Sequence, residues 1–143
     1  MPSYATRQDI VDRYGESALR IAADRDGDAE ADQQAVERAL TDAAARIDSY
    51  LTRRYALPLA ATPPVLVGIA VDLALYALSG NAGALTEERR RRHDDAIRLL
   101  ELIADNKAGI DLPSQQEGAS RIRRIEADAA PRVFTRETLK LFR

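Results

Sequence analysis

Residues 63–79 read PPVLVGIAVDLALYALS, and from Val65 to Leu78 only Gly68 and Asp72 interrupt an apolar run. A helix that is apolar on every side has to be enclosed, by protein or by lipid. A membrane-spanning helix needs about 20 largely apolar residues; this run is shorter and carries an ionisable group at its middle. It therefore reads as the central helix of a small all-α bundle. Pro63 and Pro64 suit its first turn, where a missing N–H costs nothing. Gly80, Asn81 and Gly83 suit its end.

The rest of the chain agrees with that centre. At 143 residues it holds about one domain, and 45% hydrophobic content with only 5% aromatic gives a core of Ala, Leu, Ile and Val. Ala-rich sequence with strong helix formers favours helices throughout. The formal net charge of −2 points to neither nucleic acid nor a membrane surface. The absence of cysteine excludes disulfides, thiolate catalysis and Cys-based zinc sites. Acidic residues recur through the first 30 positions without a long apolar run, unlike a secretory leader, so the expected place of synthesis is a cytoplasm.

Outward from the centre, helix signals recur. Thr6 followed by Asp9 is a variant capping box for a first helix that Gly15 ends. Glu16 to Ala23 reads as a short second helix with Leu19 and Ile21 as anchors. Asp32 is an N-cap for a helix over about 33–54, where Val36, Leu40, Ala43, Ile47 and Tyr50 or Leu51 mark one face. Glu37, Arg38, Asp42, Arg46 and Arg53 mark the other, with Asp42 and Arg46 at pairing distance. YALPLAAT (55–62) reads as an extended connection. Thr86 caps a helix running to about Lys107, with Ile97, Leu100 and Ile103 or Ala104 as its buried stripe. Leu99 and Leu102 widen its apolar face and hint at a subunit contact. The division is a helical core over 1–107 and a C-terminal arm over 108–143. The arm holds seven basic and five acidic residues. Its end, PRVFTRETLKLFR, suggests a short strand at 132–135 and a last helical turn capped by Thr135 that presents Leu139 and Phe142.

Four constellations invite chemistry. Asp24, Asp26, Asp28 and Asp32 occupy places 1, 3, 5 and 9 of a calcium-loop pattern, but Ala29 and Ala35 stand where Gly and a bidentate Glu belong. The alternative is a solvated acidic turn. Arg89, Arg90, Arg91 and Arg92 suggest phosphate contacts. Yet Glu87, Glu88, Asp94 and Asp95 flank them at four-residue spacing and neutralise the segment, which favours a solvated or subunit-facing helix. Asp72 needs a partner if buried, and Arg53 or Arg54 is the nearest in sequence. His93 stands alone, without the spacing of a metal site or triad, and reads as structural. No phosphate loop, nucleophile elbow or dinucleotide fingerprint is present. These residues support no enzyme.

The order of features resembles the Mu-like bacteriophage family of small helical proteins encoded among head and tail genes. SYATRQDIVDRYG, DRDGDAEAD, IDSYLTRRYALPL, PPVLVGIAVDLALYAL and RVFTRETLKLF carry the resemblance; Ser114 to Ala130 carries none of it. Arg54, Tyr55, Leu57, Pro58 and Leu59, followed by Pro64 and the Asp72-bearing helix, are its most specific part. The resemblance implies kinship with head–tail connectors, or adaptors, of tailed phages. Such proteins form a ring, commonly a dodecamer, beneath the portal protein, extend the DNA channel and dock a tail-side completion protein. The implied place is the head–tail junction of the virion, away from any membrane, with DNA passing unbound and no cofactor. On that reading Arg89 to Arg92, Leu99 and Leu102 lie at a subunit boundary and Phe134, Leu139 and Phe142 anchor the arm. The rival is a small helical nucleic-acid-binding protein using the arginine run and the basic arm.

Overall fold

The computed structural model describes residues 3–24, 26–28 and 30–112. They form five helices in chain order: α1 (Arg7–Tyr14), α2 (Glu16–Ala23), α3 (Gln33–Leu51), α4 (Pro64–Asn81) and α5 (Glu87–Ala104). No strand occurs among the described residues.

Local chemistry sets the ends. The Thr6 hydroxyl accepts from the Asp9 amide while the Asp9 carboxylate accepts from the Thr6 amide, completing the capping box. The Thr6 hydroxyl and amide both donate to the Asp9 carboxylate and hold it below its ordinary pKa, the hydroxyl contributing most. Gly15 turns the chain between α1 and α2 at φ 85°, a conformation open to glycine. Asp32 caps α3 by accepting from the Ala35 amide, and Thr86 caps α5 by accepting from the Arg89 amide. Pro64 is the first residue of α4.

Helix α4 is the centre, in contact with each of the other four helices. Leu66, Ile69, Ala70, Val71, Leu73, Ala74, Leu75 and Leu78 are all buried on it. By length and composition it is apolar enough to cross a membrane, but here its apolar surface meets Val36, Ala43, Ile47 and Leu51 of α3 and Ala96, Leu100 and Ile103 of α5 in one core. From α1 and α2 come Ile10 and Leu19, both fully enclosed.

Three features depart from the sequence expectations. Helix α3 stops at Leu51 and α5 at Ala104, each about a turn earlier than their periodicity suggests. Of the two expected anchors of α2, Leu19 is buried but Ile21 is 60% exposed. Residues 108–112 belong to the helical body rather than to an arm: Ile110 is buried in the core, and Ala108 and Leu112 pack against it.

Candidate functional site

Gly68 and Asp72, the two breaks in the apolar run, lie one turn apart on α4 at its seam with α1. The Arg13 guanidinium crosses α4 at Gly68, so closely that a Cβ there would stand 2.5 Å from Arg13 Nη1. One turn on, the Tyr14 hydroxyl donates to Asp72 Oδ1, and Arg13 Nη2 stands 3.7 Å from Asp72 Oδ2. From α5, Arg92 Nη1 donates to the Tyr14 oxygen at 3.1 Å, with its guanidinium carbon 5.3 Å from the ring centroid. Burial first, and then the hydrogen bond to Asp72, raise the Tyr14 pKa. The carboxylate that the sequence analysis assigned to Arg53 or Arg54 is therefore held by Tyr14 and Arg13. The Asp72 carboxylate thus ties α1 to the central helix, and Arg92 joins α5 to the same tyrosine.

Arg54 is committed elsewhere. It is only 8% exposed, and its Nη1 donates to the carbonyls of Ile103 at 3.2 Å and Ala108 at 2.8 Å. A cation at the carbonyl end of α5 meets the negative pole of that helix. The Arg54 guanidinium also lies 5.1 Å from the Tyr55 ring centroid. The Arg-Tyr of the RRYALPL segment is thus a bolt between the end of α3 and the end of α5, while the neighbouring Arg53 is exposed.

The four arginines of α5 do not act together. Arg89 turns inward, donating to the Ser79 hydroxyl at 2.6 Å and the Ala84 carbonyl at 3.1 Å. Arg92 engages Glu88 at 2.7 Å as well as Tyr14. Arg90 and Arg91 point outward, 4.0 and 3.5 Å from Glu87. The expected Glu87–Arg91 and Glu88–Arg92 pairs form, whereas Arg90–Asp94 and Arg91–Asp95 do not among the described residues. His93 stacks on Tyr76 with ring centroids 3.9 Å apart.

Beside the polar seam runs an open groove of about 350 Å³ between α4 and α5. Pro64, Val65, Ile69, Ala96 and Leu99 give it apolar walls, and Arg13, Asp72, Arg92 and Asp95 edge it. Val65 is 39% and Leu102, one turn beyond Leu99, 36% exposed. A shallow trough of mixed apolar and charged lining is suited to protein contact.

In the acidic loop, carboxylate oxygens of Asp24, Asp26 and Asp28 lie within 4.8 Å of one another. The amides of Gly27 and Glu30 donate to Asp24 and Asp28 at 2.8 Å. Asp32 is separate, its carboxylate turned to the α3 amide. Three carboxylates are a partial fit to a cation that takes six to eight oxygen ligands. Phe134, Leu139 and Phe142, with the expected strand and terminal turn, lie outside the described residues.

Comparison with known proteins gives the ancestry. The family model described as "Bacteriophage Mu, Gp36" matches residues 4–127. This chain belongs to that Mu Gp36 family. Among its relatives is "Mu-like prophage FluMu protein gp36" of Haemophilus influenzae, 33% identical over 142 residues, 99% of each chain. Another is "Gene product J" of Escherichia phage Mu, 32% identical over 140 residues, 94% of this chain and 96% of the relative. The Gp36 match takes in all five helices and stops short of RVFTRETLKLF, whereas the alignment with the prophage protein covers almost the whole chain. The polar seam and the Arg54 bolt both fall inside the Gp36 match. Neither was legible as a pairing in the sequence, although the isolated Gly68 and Asp72 signalled where a neighbouring helix must cross.

Proposed function

We propose that this chain is a structural subunit of the virion, a head–tail connector that forms a ring below the portal protein, extends the DNA channel and docks the tail-side completion protein. The observation that carries the reading is near-full-length kinship with a Mu protein and a Mu-like prophage protein. The residue chemistry supports it. Asp72, Tyr14, Arg54, Arg89 and Arg92 all hold helices to one another or to their ends, and His93 is stacked. None is left poised as a nucleophile or base. The outward arginines Arg90 and Arg91 share Glu87, which suits a wall that lets DNA pass without gripping it. The segment from Ala130 onward, with Phe134, Leu139 and Phe142, is the contact to another virion protein.

Electron microscopy of the full chain mixed with its cognate portal tests this directly, with a ring of density below the portal expected. A chain ending before Ala130 should fold and yet leave heads and tails unjoined. Normal particles from that truncation, or no association with the portal, overturn the reading.

A further inference from the structure

Ile21 is the most exposed large apolar side chain among the described residues, at 60%. It sits on the outer side of α2, next to Arg20, which has no side-chain partner among the described residues. The α4–α5 groove presents the matching features. Its apolar wall includes the part-exposed Val65 and Leu99, and its rim carries Asp95, an exposed carboxylate also without a partner among the described residues. At about 350 Å³ it lies near the lower end of pockets that hold small molecules, ample for one aliphatic side chain.

From this complementarity we infer that Ile21 of one copy seats in the groove of a second copy against Val65 and Leu99, with Arg20 facing Asp95 across the contact. Knob and groove lie on different elements, α2 for the one and α4 and α5 for the other, so copies can join head-to-tail, as the ring reading requires, or as a two-fold pair in which each Ile21 enters the other copy's groove. Head-to-tail contacts close into rings when the rotation allows. The inference therefore rests on the ring reading and names the surfaces that join its subunits.

The chain has no cysteine, which makes the test clean. Full-length Ile21→Cys and Val65→Cys chains, each exposed at the altered position, are treated separately and as an equal mixture with a short thiol-to-thiol cross-linker. Sedimentation of the unmodified chain runs in parallel. A cross-linked dimer from the mixture and none from either chain alone is the expected result, and Ile21→Asp should lose the oligomer with its melting temperature unchanged. Dimers from either chain alone show Ile21 or Val65 meeting its own copy and overturn the pairing, and an oligomer that stops at the dimer by sedimentation overturns the head-to-tail arrangement. Oligomers by sedimentation without the mixed cross-link overturn it and leave the ring reading standing. A chain that stays monomeric alone and with its portal defeats both.

Discussion

Arg54→Met separates a structural bolt from a surface charge. Methionine keeps most of the stem's packing and removes the guanidinium. The Ala108 carbonyl then loses its 2.8 Å partner outright. The Ile103 carbonyl keeps the Asn106 amide at 3.2 Å, so its loss is partial. Hydrogen bonds to charged groups contribute about 1.5–3 kcal/mol each, giving a gross loss of roughly 3 kcal/mol for one full and one partial bond. Against this, Arg54 Nε is buried with no partner among the described residues, and relief of its desolvation returns about 1 kcal/mol. The net expectation is a loss of about 2 kcal/mol, a fall in melting temperature of about 10 °C for a body of this size. Arg53→Met, one residue away and exposed, should stay within about 0.5 kcal/mol. Urea unfolding followed by circular dichroism at constant m-value measures both. Equal effects from the two substitutions, or an Arg54→Met change under about 0.5 kcal/mol, refute the bolt.

Tyr55→Phe removes a buried hydroxyl that has no partner among the described residues; stability should hold or rise by up to about 1 kcal/mol, and a fall of that size in urea unfolding reveals a partner. Tyr4, whose hydroxyl donates to Asp48, and Tyr14 both have raised pKa values, burial being the first cause in each. Their contribution is intact below the unfolded value near 10 and is lost as pH climbs toward the folded values, by at most about 1.4 kcal/mol per pH unit for each; ultraviolet titration should show both ionising above that unfolded value, and Tyr4→Phe plus Tyr14→Phe should flatten the alkaline fall. With three close carboxylates and no bidentate Glu, the acidic loop should bind Ca²⁺ no tighter than the millimolar range; calorimetric saturation at micromolar Ca²⁺ refutes this.

The helices were legible because their ends and faces are local. Thr6, Asp32 and Thr86 cap the helices they precede, and the apolar run at 65–78 is the buried centre. What the sequence hid was which helix crosses where. Asp72 announces that it needs a partner, and Arg53 and Arg54 are close along the chain. But Asp72 sits eight residues into α4 beyond Pro64, about 12 Å along the axis. The end of α3 carries Arg54 to the end of α5 instead, where two carbonyls accept from it. The partner of Asp72 came from α1, 58 residues away in sequence, and only packing brings it there.

Two other expectations carried their own correction. Leu19 and Ile21 are two residues apart, about 200° around a helix. In an eight-residue helix with one buried side they cannot both be anchors, so the burial of Leu19 obliges Ile21 to face outward. Arg89 to Arg92 step by about 100° each and spread over most of the helix circumference, so they cannot form one patch. Each then took the acceptor its direction offered: Ser79 and Ala84 for Arg89, Glu87 for Arg90 and Arg91, Glu88 and Tyr14 for Arg92. A block of like charge on a helix is thus four separate questions, and two of the four arginines answer by holding α5 to the bundle. Surface left for other proteins must be sought where apolar groups stay uncovered, at Ile21, Val65 and Leu102, rather than where charge is densest in the sequence.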